Sequence, residues 1–423
     1  MEFRGIPGSC TLTLPPGHAP DSDGAQAQIT GKFGFQAARD LVSVSEARVA
    51  AFGVEGSGSA QISLDAERPS WQGKFSAVSP DLAQTLRQVG MPAARPPQPL
   101  RRMELEGAFK GTPSTLEISG LRLRVDKNDI KGSVQVDWRQ TPNLKYSLAA
   151  EKLNLDRYLE DNTPKKTAKA AEKPWDLRFL RTFNAQGEVR VGQLTAMKLA
   201  VHDLRLSSRL ENGHLRYETL SARFYRAPLT VRGSMTFGQG LTVENSLYAD
   251  GVDLKAASAD RGGDAVLTGR GSLSAEIRAQ MTGPGQFPAR ANGKWRISLT
   301  KGSYQTRDKA GNLKGKPTHF EAAGSSGSLI NGVARSSDFY LKAQDMKLDG
   351  GGWVDLDKRT LDCTLTVNKT NLPEFPLRLY GSLDKPQTSI GAGKFLLNTL
   401  GGITQGVFDV FGGLVQGAWK IFR

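Results

Sequence analysis

The feature that most constrains this sequence is a period of two, in which apolar and polar residues alternate in short runs. The segment from Leu361 to Val367 has Leu, Cys, Leu and Val at every second position. Such alternation is typical of strands with one apolar and one polar face. Glycine, asparagine or aspartate separates the runs, and Asn212-Gly213 between two of them predicts a two-residue hairpin. The sequence therefore predicts a mostly β protein built as an antiparallel meander.

Helical patterns are few. Ser79-Pro80-Asp81 is typical of a helix start, with Ser79 as the cap, and one apolar stripe follows it. Residues 160–174 are charged and contain no large apolar side chain, which is typical of a linker or mobile loop. In chain order we predict a β-rich segment 1–100 with one short helix near 80–90, a β-meander repeat 101–159, the linker 160–174, a β region 175–390 and an amphipathic helix 391–423.

The C-terminal segment differs in character from the rest of the chain. From Lys394 onward, apolar and aromatic residues recur at helical spacing, with polar residues between them. Two interpretations stay open: a helix lying in a membrane interface, or a helix that plugs the open end of the sheet. The residues expected to contact the membrane under the first interpretation are Phe395, Leu400, Val407, Phe411, Leu414, Trp419 and Phe422.

The charge pattern favours a solvated surface. The net charge is +14, but the basic residues are spread along the chain and many alternate with apolar ones, as Arg122 and Arg124 do. No zinc-finger spacing or aromatic RNA-binding pattern is found, so we expect no nucleic acid partner.

Motifs for catalysis are missing from the sequence. His202 and His214 flank one predicted hairpin and could lie near each other, but no cysteine or carboxylate stands beside them at metal-ligand spacing. The two cysteines, Cys10 and Cys363, are too far apart in sequence to suggest a disulfide framework. We predict no catalytic residue, no metal site and no cofactor, and hence a protein that is not an enzyme.

Several phrases of the sequence resemble a known family. The run Leu153 to Leu159 is similar to the "L-x-L-D-x-Y-L" phrase of AsmA-like proteins, and Ile330 to Val333, Gly350 to Leu356 and Pro376 to Pro386 resemble their C-terminal region. The likeness covers roughly residues 100–390. AsmA-like proteins are bacterial envelope proteins of the bridge-like lipid transfer group.

The resemblance implies an elongated, curled sheet that forms a groove with an apolar floor. Phospholipid acyl chains would slide along this floor between the inner and outer membranes, supporting outer-membrane integrity. It also implies a periplasmic location and an inner-membrane anchor formed by an N-terminal helix, which we do not find in this sequence. The expected partners are phospholipid acyl chains, a membrane surface contacted by the C-terminal helix, and other envelope proteins.

The floor of such a groove should be lined by apolar residues of the alternating runs. They are Leu121, Leu123, Val125, Val134, Val136, Trp138, Leu204, Leu206, Val231, Leu273, Ile277, Ile297, Leu299, Val354 and Leu356.

A second function class stays open, a structural or assembly scaffold of the envelope that acts through protein contacts. An open apolar trough would favour transfer, and two sheets packed face to face would favour the scaffold. A third possibility, a polysaccharide-processing enzyme, needs carboxylates and aromatic residues in one cleft, and the six tryptophans are scattered along the sequence.

Overall fold

The part of the chain that the structure describes is almost entirely β-structure. The computed structural model describes residues 2–13, 26–88, 100–156, 177–196, 199–260, 267–283, 286–307, 313–383 and 385–390. These residues contain 22 strands, which belong to one largely antiparallel sheet, and only a few short helices. The predicted fold class, a mostly β meander with few helices, is confirmed. The predicted C-terminal helix lies outside the described residues.

The bounds of the elements show that most strands are ten to fourteen residues long. The strands are β1 (Glu2–Thr13), β2 (Gln26–Gln36), β3 (Leu41–Ala51), β4 (Val54–Ser63), β5 (Ser70–Ser79), β6 (Met103–Thr112), β7 (Thr115–Val125), β8 (Asn128–Asp137), β9 (Asn143–Asn154), β10 (Asn184–Ala196), β11 (Leu199–Glu211), β12 (His214–Phe224), β13 (Ala227–Gly238), β14 (Gly240–Asp253), β15 (Arg270–Met281), β16 (Ala291–Arg307), β17 (Leu313–Ile330), β18 (Val333–Ala343), β19 (Met346–Asp355), β20 (Thr360–Lys369), β21 (Phe375–Ser382) and β22 (Lys385–Ile390). The helices are α1 (Leu82–Gln88), α2 (Leu254–Asp260) and α3 (Phe287–Arg290), with 3₁₀ turns at Ala37–Arg39 and Arg178–Arg181.

Tight turns join many of the neighbouring antiparallel strands. The predicted Asn212-Gly213 hairpin joins β11 to β12, and both residues have positive φ, 48° and 73°. Asn331 and Gly332 form the same kind of turn between β17 and β18, with φ of 47° and 77°. Positive φ at both central positions gives the turn a twist that matches the strands on either side.

One pair of neighbouring strands described by the structure is parallel. Strand β10 runs alongside β9 in the same direction, with Asn184 opposite Asn143 and Val191 opposite Ala150. Parallel neighbours cannot be joined by a hairpin and need a longer crossover connection. The connection is residues 155–183, and it contains the predicted linker 160–174, which lies outside the described residues.

Helix α1 begins where the sequence predicted a short helix, but its cap is a different residue. Asp81 Oδ1 accepts a hydrogen bond from the Gln84 amide at 2.9 Å, so Asp81 caps the helix. Ser79, predicted as the cap, is instead the fully buried last residue of β5. Its hydroxyl lies 2.8 Å from the Thr85 hydroxyl.

Bulges keep the apolar residues on one face of a strand. In β7 the alternation changes parity between Ile118 and Leu121, and the register with β8 shifts at that point. Gly120, with φ of 57°, belongs to this irregular stretch. Strand β12 has a corresponding shift between Tyr217 and Leu220. An extra residue at such a bulge changes the face on which the following side chains lie, and the strand continues beyond it.

The chain divides into two compact units. Unit 1 comprises Met1–Lys165, Thr182–Ala196 and Ser207–Asn212, and unit 2 comprises Lys166–Arg181, Met197–Leu206 and Gly213–Arg423. Unit 1 therefore holds β1 to β10, and unit 2 holds β12 to β22.

Candidate functional site

The apolar face of unit 1 is assembled by the register of β6 to β9. Leu123 lies opposite Ile130, and Val134 lies opposite Ile118 on one side and Tyr146 on the other. The predicted floor residues that share this face are Leu121, Leu123, Val125, Val134 and Val136. Each of them is only half-buried, so part of each apolar side chain faces solvent.

Aromatic residues extend the same face into β5, β6 and β9, and the predicted floor did not include them. Trp71 lies opposite Gly111 and Phe75 opposite Gly107, with Gly73 opposite Phe109 between them. A methyl group at Gly73 would lie only 2.7 Å from the Phe109 ring, so that ring packs directly against the glycine. The alternation of aromatic residues and glycine in these strands is the sequence signal that could have identified them.

The opposite face of the same strands is charged. Arg122 donates two hydrogen bonds to Asp129, at 3.0 Å and 2.7 Å, and Arg124 donates to Glu104 at 3.1 Å. The hydrogen bond from Arg122 holds the pKa of Asp129 below its usual value. Gln135, between the two floor valines of β8, is exposed on this face. The alternation of basic and apolar residues therefore separates a solvated face from an apolar one.

The apolar face of unit 2 is partly exposed in some strands and fully buried in others. Val231, Leu273, Ile277 and Ile297 are half-buried on one face of β13 to β16. In β18 to β21 the corresponding side chains are sealed from solvent, and those with 0 % exposure are Leu341, Leu348, Leu365, Val367 and Leu377.

Two predicted floor residues of unit 2 belong to this sealed core. Leu299 is 1 % exposed and Val354 is 5 % exposed, and both pack in the same cluster as the leucines of β18 to β21. Neither side chain offers surface to a ligand, so their assignment to an accessible floor is corrected. Both occupy the alternating positions of the pattern, but the pattern does not tell a covered strand from an open one.

The remaining predicted floor residues occupy three other places. Leu204 and Leu206 are half-buried on β11. Trp138 follows the end of β8, is 38 % exposed, and donates from its indole to the Pro113 carbonyl at 2.6 Å. Leu356 follows the end of β19 and packs against the sealed core. Phe395, Leu400, Val407, Phe411, Leu414, Trp419 and Phe422 lie outside the described residues.

Among the described residues, no three His, Cys, Asp or Glu side chains are placed to hold a metal ion. Arg223 and Asp203 form an ion pair that joins β11 to β12 at the end of the hairpin away from the Asn212-Gly213 turn. His202 therefore lies at the opposite end of this hairpin from His214, so their predicted proximity is wrong. In the part of the chain that the structure describes, none of the helices has the length and apolar character of a membrane span.

Comparison with known proteins yields no relative. No protein-family profile, no curated protein and no solved structure matches this chain.

Proposed function

We propose that this protein is a non-catalytic lipid carrier that holds phospholipid acyl chains against the apolar face of unit 1. The observation that carries the proposal is the half-exposure of this face along β5 to β9. A sheet with one apolar face has to cover that face with another layer, with itself or with a ligand. Burying an acyl chain there is favourable by about 0.8 kcal/mol for each methylene group.

The cellular role follows from the sequence phrases that resemble AsmA-like proteins. We place the chain in that family and assign it the movement or shielding of phospholipid between the inner and outer membranes. The single, largely antiparallel meander sheet is compatible with this family. The proposed location is the periplasm, with anchoring to the inner membrane by an N-terminal helix and further contacts with envelope proteins.

The direct test is to purify the protein from a bacterial host and to analyse the bound lipid by mass spectrometry. A photo-crosslinking amino acid at Val134 or Val136 should yield lipid adducts, because both positions lie on the apolar floor. The matched control is the same amino acid at Gln135, which lies between them on the charged face. A protein that carries no phospholipid, or equal adducts at all three positions, would overturn the proposal.

A scaffold function is the second candidate, and one observation favours it. The apolar side chains of β18 to β21 are already sealed from solvent, so this part of the sheet needs no ligand. A scaffold would use its outer surface and would leave the floor of unit 1 to a protein partner. Crosslinking at Val134 that captures a protein and no lipid would support this function instead.

The proposed membrane contact rests on the sequence of residues 394–423. Deleting Phe395 to Arg423 should weaken binding to phospholipid vesicles if this segment lies in the interface. Unchanged vesicle binding would favour the alternative that it plugs the sheet.

A further inference from the structure

A groove of about 800 Å³ crosses β13 to β17 of unit 2 on the face opposite the apolar one. Two rows of side chains form its walls, and strand register aligns the members of each row. One row is Arg232, Ser246, Glu276, Lys294 and Ser328, and the other is Thr230, Tyr248, Ser274, Arg296 and Ser326. Between the rows the groove is lined by Leu247, Ala275, Trp295 and Gly327. Strand alternation directs side chains at these positions to the other face, so backbone forms the floor.

The two rows of side chains hold three cations and one carboxylate. Arg232, Lys294 and Arg296 are exposed, and none forms an ion pair with any described residue. Glu276 is the one acidic side chain in the two rows. At the β17 end, Asp338 accepts a hydrogen bond from the Ser326 amide at 2.7 Å. The groove therefore has an excess of positive charge across β13 to β16, and Asp338 lies at its β17 end.

The remaining wall residues are hydroxyls and one aromatic ring. The hydroxyls of Ser246, Ser274 and Ser328 have no hydrogen-bond partner among the described residues, and Tyr248 is 54 % exposed. The walls carry no aliphatic side chain larger than threonine, so they do not suit an acyl chain. Hydroxyl donors, an exposed ring and separated cations match a sugar polymer, whose rings have polar rims and C–H faces.

We infer that this groove binds an extended acidic oligosaccharide. Carboxylates of the sugar would pair with Arg232, Lys294 and Arg296, because cations in a groove favour charge-assisted hydrogen bonds. Sugar hydroxyls would bond to the free serines, and one pyranose ring would pack against Tyr248. The site is formed by residues of unit 2 alone and lies on the face of its strands opposite their own apolar side chains, so it goes beyond lipid binding and does not depend on it.

The test is calorimetric titration of the full chain with a hexamer of polyuronate. The variant Arg232→Gln/Lys294→Gln/Arg296→Gln should lose about tenfold or more in affinity, since each contact is a charge-assisted hydrogen bond. The matched control is Lys74→Gln/Lys110→Gln/Lys131→Gln, which removes the same charge from exposed lysines of unit 1 that form no ion pair with a described residue. The control should bind within about twofold of the unmodified protein, because those lysines lie outside the groove. Circular dichroism should show unchanged β-structure in both variants.

Three further titrations test whether the ligand is an acidic sugar. A neutral maltohexaose should bind at least about tenfold more weakly, because it lacks the carboxylates. Tyr248→Ser should weaken polyuronate binding without changing its salt dependence, because it removes a ring and no charge. Absence of polyuronate binding, or equal losses in the two triple variants, would overturn the inference. Hexaglutamate binding as tightly as polyuronate would also overturn it and indicate an acidic protein partner. Lipid content, measured on the same variants, should not change.

Discussion

The hydroxyl oxygens of Tyr146 and Ser208 lie 2.6 Å apart, although Tyr146 is on β9 and Ser208 is on β11. Strand β10 lies beside β9, and Gly187 is opposite Tyr146. The tyrosine ring packs against this glycine, since a methyl group there would be 2.7 Å from the ring. Unit 2 repeats the arrangement, because Tyr217 on β12 donates to Asn245 on β14 at 2.7 Å, with Gly233 of β13 between them. Each tyrosine therefore connects two strands that are not neighbours.

We predict that Tyr146→Phe destabilises the protein by about 0.5–1.5 kcal/mol, because one partly buried hydrogen bond is lost and Ser208 keeps an unpaired hydroxyl. The measurement is the urea midpoint of unfolding. The control is Tyr248→Phe, which removes a hydroxyl that bonds to no described residue and should change stability by less than about 0.5 kcal/mol. Equal effects of the two substitutions would contradict the role of the Tyr146–Ser208 contact.

Gly187→Ala should cost more than Tyr146→Phe, about 1–3 kcal/mol, because the new methyl group meets both the Tyr146 ring and the Tyr146 carbonyl oxygen. Gly283→Ala is the matched control, since the nearest atom to its methyl group would be 3.8 Å away. The control should be neutral or slightly stabilising. Unfolding curves in urea that coincide for the two variants would contradict the close packing at Gly187.

Arg226→Gly should stabilise the protein by roughly 1 kcal/mol, the cost of a left-handed conformation at a residue with a side chain. Tyr225 and Arg226 form the turn between β12 and β13 with φ of 45° and 70°, a left-handed conformation that side chains other than glycine disfavour. The ion pair lost, Arg226 with Asp253 at 3.4 Å, involves an arginine side chain that is 75 % exposed and contributes little. Arg226→Ala separates the two effects, because it loses the ion pair but keeps the strain. A glycine variant no more stable than the alanine variant in thermal unfolding would contradict this prediction.

The Cys363 thiol should be inert in the folded protein. Burial raises its pKa to about 11, and the negative charge of Asp362 adds to this effect. In a Cys10→Ser background, Ellman's reagent at pH 8 should react with Cys363 only after unfolding in urea. The folded protein holds the proton to higher pH than the unfolded chain. The raised pKa of Cys363 therefore stabilises the folded state fully at pH values below the pKa of this thiol in the unfolded chain. This contribution is lost as the pH rises toward 11. Rapid labelling at pH 8 without denaturant would show that the thiol is not buried.

Val134→Asp and Val136→Asp should each impair phospholipid transfer between vesicles more than Gln135→Asp does. A carboxylate on the floor would have to lose its hydration against an acyl chain, whereas one at position 135 stays in solvent. The measurement is the initial rate of fluorescent phospholipid transfer, with circular dichroism as the check on folding. Equal rates in the three variants would remove the argument from alternation.

The candidate floor was predictable only in part. The face shared by Leu121, Leu123, Val134 and Val136 follows from alternation, because side-chain direction in a strand depends only on local periodicity. The burial of Leu299 and Val354 does not follow from alternation, since burial depends on which distant residues cover a strand. Nor does the grouping of Arg232, Lys294 and Arg296 along one groove follow from alternation, because their proximity comes from strand register.

By itself the sequence determined the strands, their two faces and the Asn212-Gly213 hairpin, since each depends on neighbours within a few residues. Only the tertiary structure decided that β10 runs parallel to β9, because the direction of a strand after a long connection is not encoded in its own alternation. It also decided that Tyr225 and Arg226 occupy a turn usually taken by asparagine and glycine, a strain that packing elsewhere can offset. Local patterns determine which way each side chain points. Contacts between distant strands determine which residues it contacts and whether it is buried.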